Sequence, residues 1–310
     1  MNEHDMVRLI TSLKDFLWGG TRLKEEFGKN CDLEKVAESW ELSVHRSGES
    51  IVAQTGQPLS AFLKEHPGFL GKEHDSLDIL IKFIDAHDNL SLQVHPDEKY
   101  ANEHENQHGK TEMWYIIDAS EDASIIFGMK DQLTREQFRQ AISDNTILEH
   151  VNRVPVRKGD YCLIQAGTLH AVGKGCLIAE IQQSSDVTYR VYDYDRRDKD
   201  GNPRQLHIEK AIDVTNLVPF ESGVRNTEGL TTVMADNELF TVVYHPMSAK
   251  LVLKTSPASF TAVIFTDGSG SITHGGLTRH YTKGDSWLIS AGDEDIVIQG
   301  SGECLQVTVR

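Results

Sequence analysis

The stretch that constrains this chain most runs over residues 89–117. It reads Asn-Leu-Ser-Leu-Gln-Val-His-Pro, then a polar loop, then Gly-Lys-Thr-Glu-Met-Trp-Tyr-Ile-Ile. Leu90, Leu92 and Val94 alternate with Ser91, Gln93 and His95, and an extended strand sends every second side chain to the same face. Gln93 and His95 therefore project together beside Ser91, with the aliphatic residues behind them. The same period puts Lys110, Glu112 and Trp114 on one face of a second strand beyond the loop. Gln, His and Glu all have metal-ligand character, so two neighbouring strands offering them to one cavity define a candidate site. A third piece lies at residues 158–170, where another strand and turn end in His170.

The formal net charge is −16, which argues against nucleic acid or an anionic membrane as partner, since both require clustered Lys and Arg. It leaves room for a small phosphorylated ligand. Net charge acts at long range and is screened, whereas a phosphate site needs only a few local cations. No stretch approaches the roughly 20 apolar residues that cross a bilayer. The opening Met-Asn-Glu-His-Asp-Met lacks the basic and then apolar pattern of a secretory signal. Cys31, Cys162, Cys176 and Cys304 have no C-x-x-C spacing and read as buried thiols in a reducing compartment. A cytoplasmic globular protein is expected, of one large domain or two modest ones.

Taken in order, residues 9–20 read as a short strand with a turn at Gly19-Gly20, residues 21–30 as a charged helix, and residues 37–44 as a strand lining a cavity. Glu38 and Glu41 on that strand are candidate acid/base carboxylates, although polar barrel or surface groups are the plainer reading of each. A hairpin over 47–57 and a short helix over 59–65 come next. His104 and His108 have the i, i+4 spacing of a helical zinc pair. They lack an apolar stripe and the Glu of an H-E-x-x-H motif, so a solvated loop or short helix is the reading there. Thr134-Arg-Glu-Gln is a capping-box pattern, and Phe138, Ala141 and Ile142 recur at helical spacing. A small helical insertion over 133–150 is therefore expected to interrupt the strands.

Further on, Arg190 faces opposite to Val187, Tyr189 and Val191 along an alternating strand. The acidic run over 193–203 fails the EF-hand frame, which would put Arg196 at its first position and His207 at its last, so Asp200-Gly201 reads as a turn. Residues 207–214 read as a helix. From about residue 221 short strands alternate with Gly-rich turns. Within them Lys283-Gly284-Asp285-Ser-Trp-Leu-Ile-Ser-Ala-Gly292 repeats Lys158-Gly159-Asp160-Tyr-Cys-Leu-Ile-Gln-Ala-Gly167 at seven of ten positions. Asp295 stands in the second copy where His170 stands in the first, and no Q-x-H or H-x-H precedes it. That copy is expected to have no metal site, and His274 and His280 read as surface residues near hairpin turns.

A Gln-x-His pair, then a Glu, then a His ending a later strand is the ligand order of a cupin barrel, with Gln in place of the usual first His. With the words around it, this order resembles the zinc-dependent type I mannose-6-phosphate isomerases in their short bacterial form. The words are Leu17-Trp18-Gly19-Gly20, Ala37-Glu38-Ser39-Trp40-Glu41-Leu42-Ser43, Leu80-Ile81-Lys82-Phe83-Ile84-Asp85-Ala86 and Gly109-Lys110-Thr111-Glu112-Met113-Trp114-Tyr115. They continue through Gly167-Thr168-Leu169-His170-Ala171, Ser184-Ser185-Asp186-Val187-Thr188-Tyr189-Arg190-Val191-Tyr192-Asp193 and Arg204-Gln205-Leu206-His207-Ile208-Glu209-Lys210. Together they cover most of the first 210 residues in family order.

The resemblance implies an all-β dominated fold of two cupin-type jelly-roll β-barrels with a small helical insertion. A catalytic barrel would occupy 1–220, and a C-terminal barrel without a metal site 221–310. One zinc ion per chain would be held by Gln93, His95, Glu112 and His170, although manganese, cobalt or iron suit such donors too. The implied activity interconverts mannose 6-phosphate and fructose 6-phosphate. Moving a proton between C2 and C1 through an enediol needs an electrophile for the oxygen that becomes negative and a base for the carbon proton. Arg190 matches the family's active-site arginine and is expected to hold phosphate or enediolate charge. Ser91 matches a serine close to the substrate. Lys110, beside the metal, is expected to act as base, hydroxyl partner or phosphate contact. Lys110, Glu112 and a metal-bound hydroxide all stay open as the base. Gln165, where Pro commonly precedes Ala-Gly-Thr, departs from the cupin pattern but lies outside the ligand set.

Two other classes compete. A metal-dependent cupin oxygenase would need iron and an open coordination face, and Gln with Glu is a poor match to a three-His site. A non-catalytic sugar-binding cupin would not need Lys110 and Arg190 beside a complete ligand set. The sequence sets no oligomeric state.

Overall fold

Period-two alternation dominates the sequence, and the computed structural model follows it. The structure describes residues 4–72, 74–197, 201–221 and 223–310, and they form mostly β-strand with a few short helices. None of those helices is long and apolar enough to cross a membrane. All four cysteines are free thiols; Cys162, Cys176 and Cys304 are buried and Cys31 is half-buried.

The chain divides into two compact units, one of Asp15–Gly20 with Ile84–Asn226, the other of Met1–Lys14, Thr21–Phe83 and Thr227–Arg310. In the first, an antiparallel sheet runs in the order Tyr189–Tyr192, Leu92–Val94, His170–Val172, Ser124–Met129, Val151–Pro155. Facing it are Asp160–Ile164, Glu112–Ala119 and Cys176–Gln183, also antiparallel and paired in that order. The Leu92–Val94 strand shows how the alternation sorts the chemistry. Leu92 and Val94 are fully buried with Leu169, Ala171, Tyr189 and Val191 in a core that Phe138, Ala141, Ile142, Ala211 and Ile212 complete. Gln93, between them, points to the opposite face.

The covering residues come from helices Arg135–Ser143 and Ile208–Val214. The first is the expected insertion, and its capping box is complete: Gln137 N–H donates to Thr134 Oγ1 at 3.2 Å and Thr134 N–H to Gln137 Oε1 at 2.8 Å. A fully buried Phe or Ile side chain contributes about 1.5–3 kcal/mol, so this stripe holds the insertion on the sheet. Helix Glu98–Glu105 begins at Asp97, whose side chain accepts from Tyr100 N–H. His104 stacks on Tyr100, while His108 meets Glu98 at 2.9 Å. The two histidines face different partners, His108 lying in the loop beyond the helix. The turn expected at Asp200-Gly201 falls partly outside the described residues.

In the second unit the antiparallel order is Thr232–Asp236, Phe240–Met247, Ile296–Val309, Thr261–His274, Ser286–Ile289, Met6–Ile10, Ile51–Val52. This grouping differs from the expected division into 1–220 and 221–310. The reason is strand pairing, since Met6, Val7 and Arg8 lie opposite Ile289, Leu288 and Trp287, which draws the N-terminal segments to the C-terminal ones. Side chains reinforce the join. Glu41 is fully buried, and Lys29 Nζ donates to it at 2.8 Å and to Gly284 O at 2.7 Å. Ser39 Oγ, at 2.6 Å, and Ser286 Oγ also donate to Glu41. Glu38, the other carboxylate of the Glu38–Leu42 strand, accepts from Trp40 Nε1 at 2.7 Å.

The internal repeat is a repeated turn. Asp160 N–H donates to Arg157 O at 3.1 Å while its carboxylate accepts from Arg157 N–H, and Asp285 N–H does the same to Thr282 O at 3.0 Å with its carboxylate on Thr282 N–H. Gly159 and Gly284 between them have φ of 88° and 90°, the left-handed region that glycine enters without strain. Asp295, in the place of His170, pairs with Lys254 at 2.7 Å. His280 is exposed as expected. His274 is buried, not at the surface as expected, with 5% exposure, because the 14-residue Thr261–His274 strand runs on through it before the chain turns.

Candidate metal centre

Strand register assembles the site. Gln93 lies directly opposite His170 on one side and Arg190 on the other, which puts the three in one row across the sheet. His95, two residues on, shares Gln93's face. From the facing strands comes Glu112, opposite Ile164 and Gln182. One donor atom each from His95, Glu112 and His170 lie within 4.8 Å of one another, and all three residues are buried. His170 Nε2 is 3.2 Å from Glu112 Oε1, and His95 Nε2 is 3.5 Å from Glu112 Oε2.

Both rings are set by their second nitrogens. His95 Nδ1 is 2.9 Å from Val187 O and His170 Nδ1 is 2.8 Å from Thr168 O. A carbonyl only accepts, so each Nδ1 carries a proton and each Nε2 is the nitrogen left facing Glu112, the orientation a metal site requires. Burial, first of all, brings His170 down to about 4, which keeps that ring neutral at ordinary pH. Two imidazoles and a carboxylate, buried and convergent, are a donor set that could hold a divalent transition metal. Gln93 Nε2 is 3.5 Å from His170 Nε2, and Ser91 Oγ donates to Gln93 Oε1 at 3.4 Å. A half-turn of the Gln93 amide would present its oxygen to the same space.

Lys110 is 4% exposed, with Nζ 3.2 Å from both Glu112 Oε2 and His95 Nε2. The backbone around it is held at each step. Gly109 N–H donates to Glu98 at 2.8 Å, Lys110 N–H to Pro96 O at 3.1 Å, and Thr111 N–H to Gln183 Oε1 at 2.9 Å. Glu98 also accepts from Gln183 at 3.0 Å. Among the hydrogen bonds that hold Glu98 below its ordinary pKa against the effect of burial, that from Gly109 is the largest. Arg190 is half-buried, and its peptide is clamped by His207: Arg190 N–H donates to His207 Nδ1 at 3.1 Å and His207 N–H to Arg190 O at 2.8 Å. Its guanidinium donates to Gln205 O at 2.8 Å.

The sequence reading missed Glu180. It is 3% exposed, accepts from Trp114 Nε1 at 3.0 Å, and stands 4.0 Å from Lys110 Nζ. Its signal was legible, since Glu180 is the single charged residue in the wholly buried Cys176–Gln183 strand and such a charge needs a partner. A cavity of about 420 Å³ lined in part by His66, Phe69 and His74 contains none of the predicted site residues.

Residues 6–141 match the model for the type I phosphomannose isomerase catalytic domain, and residues 230–309 the model for the mannose-6-phosphate isomerase cupin domain. The chain is 40% identical over 308 residues to the mannose-6-phosphate isomerase of Streptococcus mutans, with 93% of this chain and 96% of that one covered. The chain belongs to the type I phosphomannose isomerase family. Its structure overlays the crystal structure of the family's Bacillus subtilis mannose 6-phosphate isomerase with a TM-score of 0.87 at 32% identity, over 98% of this chain and 99% of that one. A zinc-bound mannose 6-phosphate isomerase structure shares the fold, with a TM-score of 0.78 at 16% identity over 99% of this chain and 100% of that one.

Proposed function

We propose that the chain is a zinc-dependent aldose–ketose isomerase that interconverts mannose 6-phosphate and fructose 6-phosphate through an enediol. The observation that carries this reading is the buried trio His95, Glu112 and His170, with both imidazole Nε2 atoms committed to one point and a buried lysine beside them. Membership of the isomerase family and the zinc in a related structure support the choice of reaction and metal. Gln93, His95, Glu112 and His170 would hold one zinc ion. When bound, zinc supplies a Lewis acid for the substrate oxygen that turns negative.

The protein's own groups do the rest. Lys110 Nζ lies within reach of the same space and, flanked by Glu112 and Glu180, orients the substrate's hydroxyls and holds the proton in transit between C2 and C1. The hydrogen bonds to Gly109, Lys110 and Thr111 keep that nitrogen in register, and a misplacement of about 1 Å can lower a rate by roughly 100-fold. Arg190 contributes fixed positive charge, and Ser91 steadies Gln93 and meets the substrate.

The test is fructose 6-phosphate formation from mannose 6-phosphate by purified, chelator-treated and zinc-restored protein. Activity lost to the chelator and returned by zinc is the expected outcome. A folded, zinc-loaded protein that forms no fructose 6-phosphate would refute the reading.

A further inference from the structure

The metal centre does not account for a cluster of charge beside Arg190. Asp193 is 6% exposed, and its carboxylate accepts from Arg204 through Nε, at 2.7 Å, and Nη2, and from Arg196 Nη2. Arg196 is fully engaged, because its Nε and Nη1 donate to Asp193 O and Asn89 O. Arg204 meets the carboxylate side-on, so its third nitrogen, Nη1, stays outside that contact. Arg190 gives Nη1 to Gln205 O, while its buried Nε has no hydrogen-bond partner among the described residues. The exposed pair Arg197 and Asp195, 3.7 Å apart, cancel each other. Three guanidiniums around one carboxylate therefore leave a local excess of positive charge, close to the charge of a phosphate monoester with opposite sign.

The backbone agrees. Tyr194 and Asp195 have φ of 56° and 52°, and Arg196 N–H donates to Asp193 O at 3.0 Å. That is the form of a type I′ turn, which Asn-Gly ordinarily fills. Consecutive non-glycine residues in the left-handed region are strained and persist where the surroundings demand them. Here the turn brings Arg196 back onto the Asp193 carboxylate that also holds Arg204. Burial and then Arg204 lower the Arg190 pKa from its ordinary value, as expected where cations outnumber their anions. Arg190 in turn stands across the strand from Gln93.

We propose that Arg190 and Arg204 together form the subsite for the substrate's phosphate, with Arg204 determining specificity and Asp193 as the positioning residue that fixes its guanidinium. This rests on the isomerase reading above. Side-on locking leaves two donor edges for a tetrahedral dianion, the geometry at which Arg surpasses Lys.

The experiment measures KM for mannose 6-phosphate and the inhibition constant of inorganic phosphate on zinc-loaded enzyme, with the thermal midpoint of every variant. Arg204→Gln is expected to raise both constants together by about 10- to 100-fold, with kcat falling less than KM rises, and Arg204→Lys to recover part of the loss. Asp193→Asn separates positioning from charge. It adds net positive charge, so attraction alone would tighten phosphate binding, whereas loss of the lock loosens it and raises both constants. Unchanged constants in both variants, tighter phosphate binding by Asp193→Asn, or a fall in kcat with KM unmoved would overturn the proposal. If Arg204→Gln fails to fold, Arg204→Lys carries the same reading through its KM and inhibition constant. Should the wild type bind inorganic phosphate through Arg204 yet fail to isomerise mannose 6-phosphate, the isomerase reading falls and the anion subsite stands.

Discussion

Glu41→Ala should destabilise the protein severely while leaving its chemistry intact. Glu41 is fully buried and Lys29 is 8% exposed. Deleting the carboxylate leaves the Lys29 ammonium with Gly284 O and the Phe83 ring face, removes the Ser286 hydroxyl's acceptor and leaves Ser39 Oγ with Thr11 Oγ1 alone. Breaking a buried pair from one side costs about 3–5 kcal/mol, most of it the penalty of the charge left behind. For a domain of about 150–250 residues each kcal/mol lowers Tm by about 2–4 °C, so a fall of about 10 °C is expected. Replacing both members, as Lys29→Met with Glu41→Leu, removes the stranded charge and should recover most of that loss. Calorimetry and urea unfolding give the stabilities, and isomerase kinetics at about 20 °C report the folded enzyme. A catalytic carboxylate would reverse the pattern, with a rate loss of about 100-fold or more at unchanged Tm. A Tm shift below about 2 °C, or a double variant as unstable as the single one, would refute the account.

Other outcomes follow from the site's supports. A Cβ at Gly109 would lie 2.5 Å from Glu98 N and 2.6 Å from the Asp97 carbonyl carbon, both rigid backbone, so Gly109→Ala should displace the Lys110 segment. A loss of about 1–3 kcal/mol in stability and a lower kcat with zinc content retained are expected; wild-type kcat in the variant would count against that packing. His207 lies below its ordinary pKa, first through burial and then through Arg190 and Lys210. Its unfolded value is about 6.5, so as pH falls through that value the unfolded chain takes up the proton first, and stability present above it is lost below it. Urea midpoints should therefore fall more between pH values of about 7.5 and 5.5 in the wild type than in His207→Asn. An equal slope in the two proteins would show that His207 is not the group responsible.

Much of the candidate centre's geometry was legible because its residues sit on short strands where period two is unambiguous. Ser91, Gln93 and His95 could face only one way once Leu92 and Val94 were assigned to the core, and the structure buries those two fully. Thr134 and Gln137 likewise announced a helix start through local chemistry. What escaped was non-local. Glu98 reads as a surface residue of a polar helix, and only folding reveals that it receives Gly109 and Gln183. The pairing of Met6–Ile10 with Ser286–Ile289 carries no signature in either strand, because a register between distant segments is written in neither alone. His274 was misjudged for a related reason, since a residue beside two glycines looks like a turn until the strand's end is known.

That distant pairing also sets an order of events during synthesis. Leu9 and Ile10 can join Val52 and Ile51 while the chain is young, but Met6, Val7 and Arg8 must wait for Trp287 to Ile289. At about 5–20 residues per second, the roughly 280 residues from Ile10 to Ile289 take about 14–56 s to be made, and through that interval the Met6–Ile10 edge lacks its partner. An unpaired apolar edge is an aggregation template. Ribosome-bound chains stopped before residue 286 should thus engage chaperones at their N-terminal segments, although Gln93, His95, Glu112 and His170 have all been made.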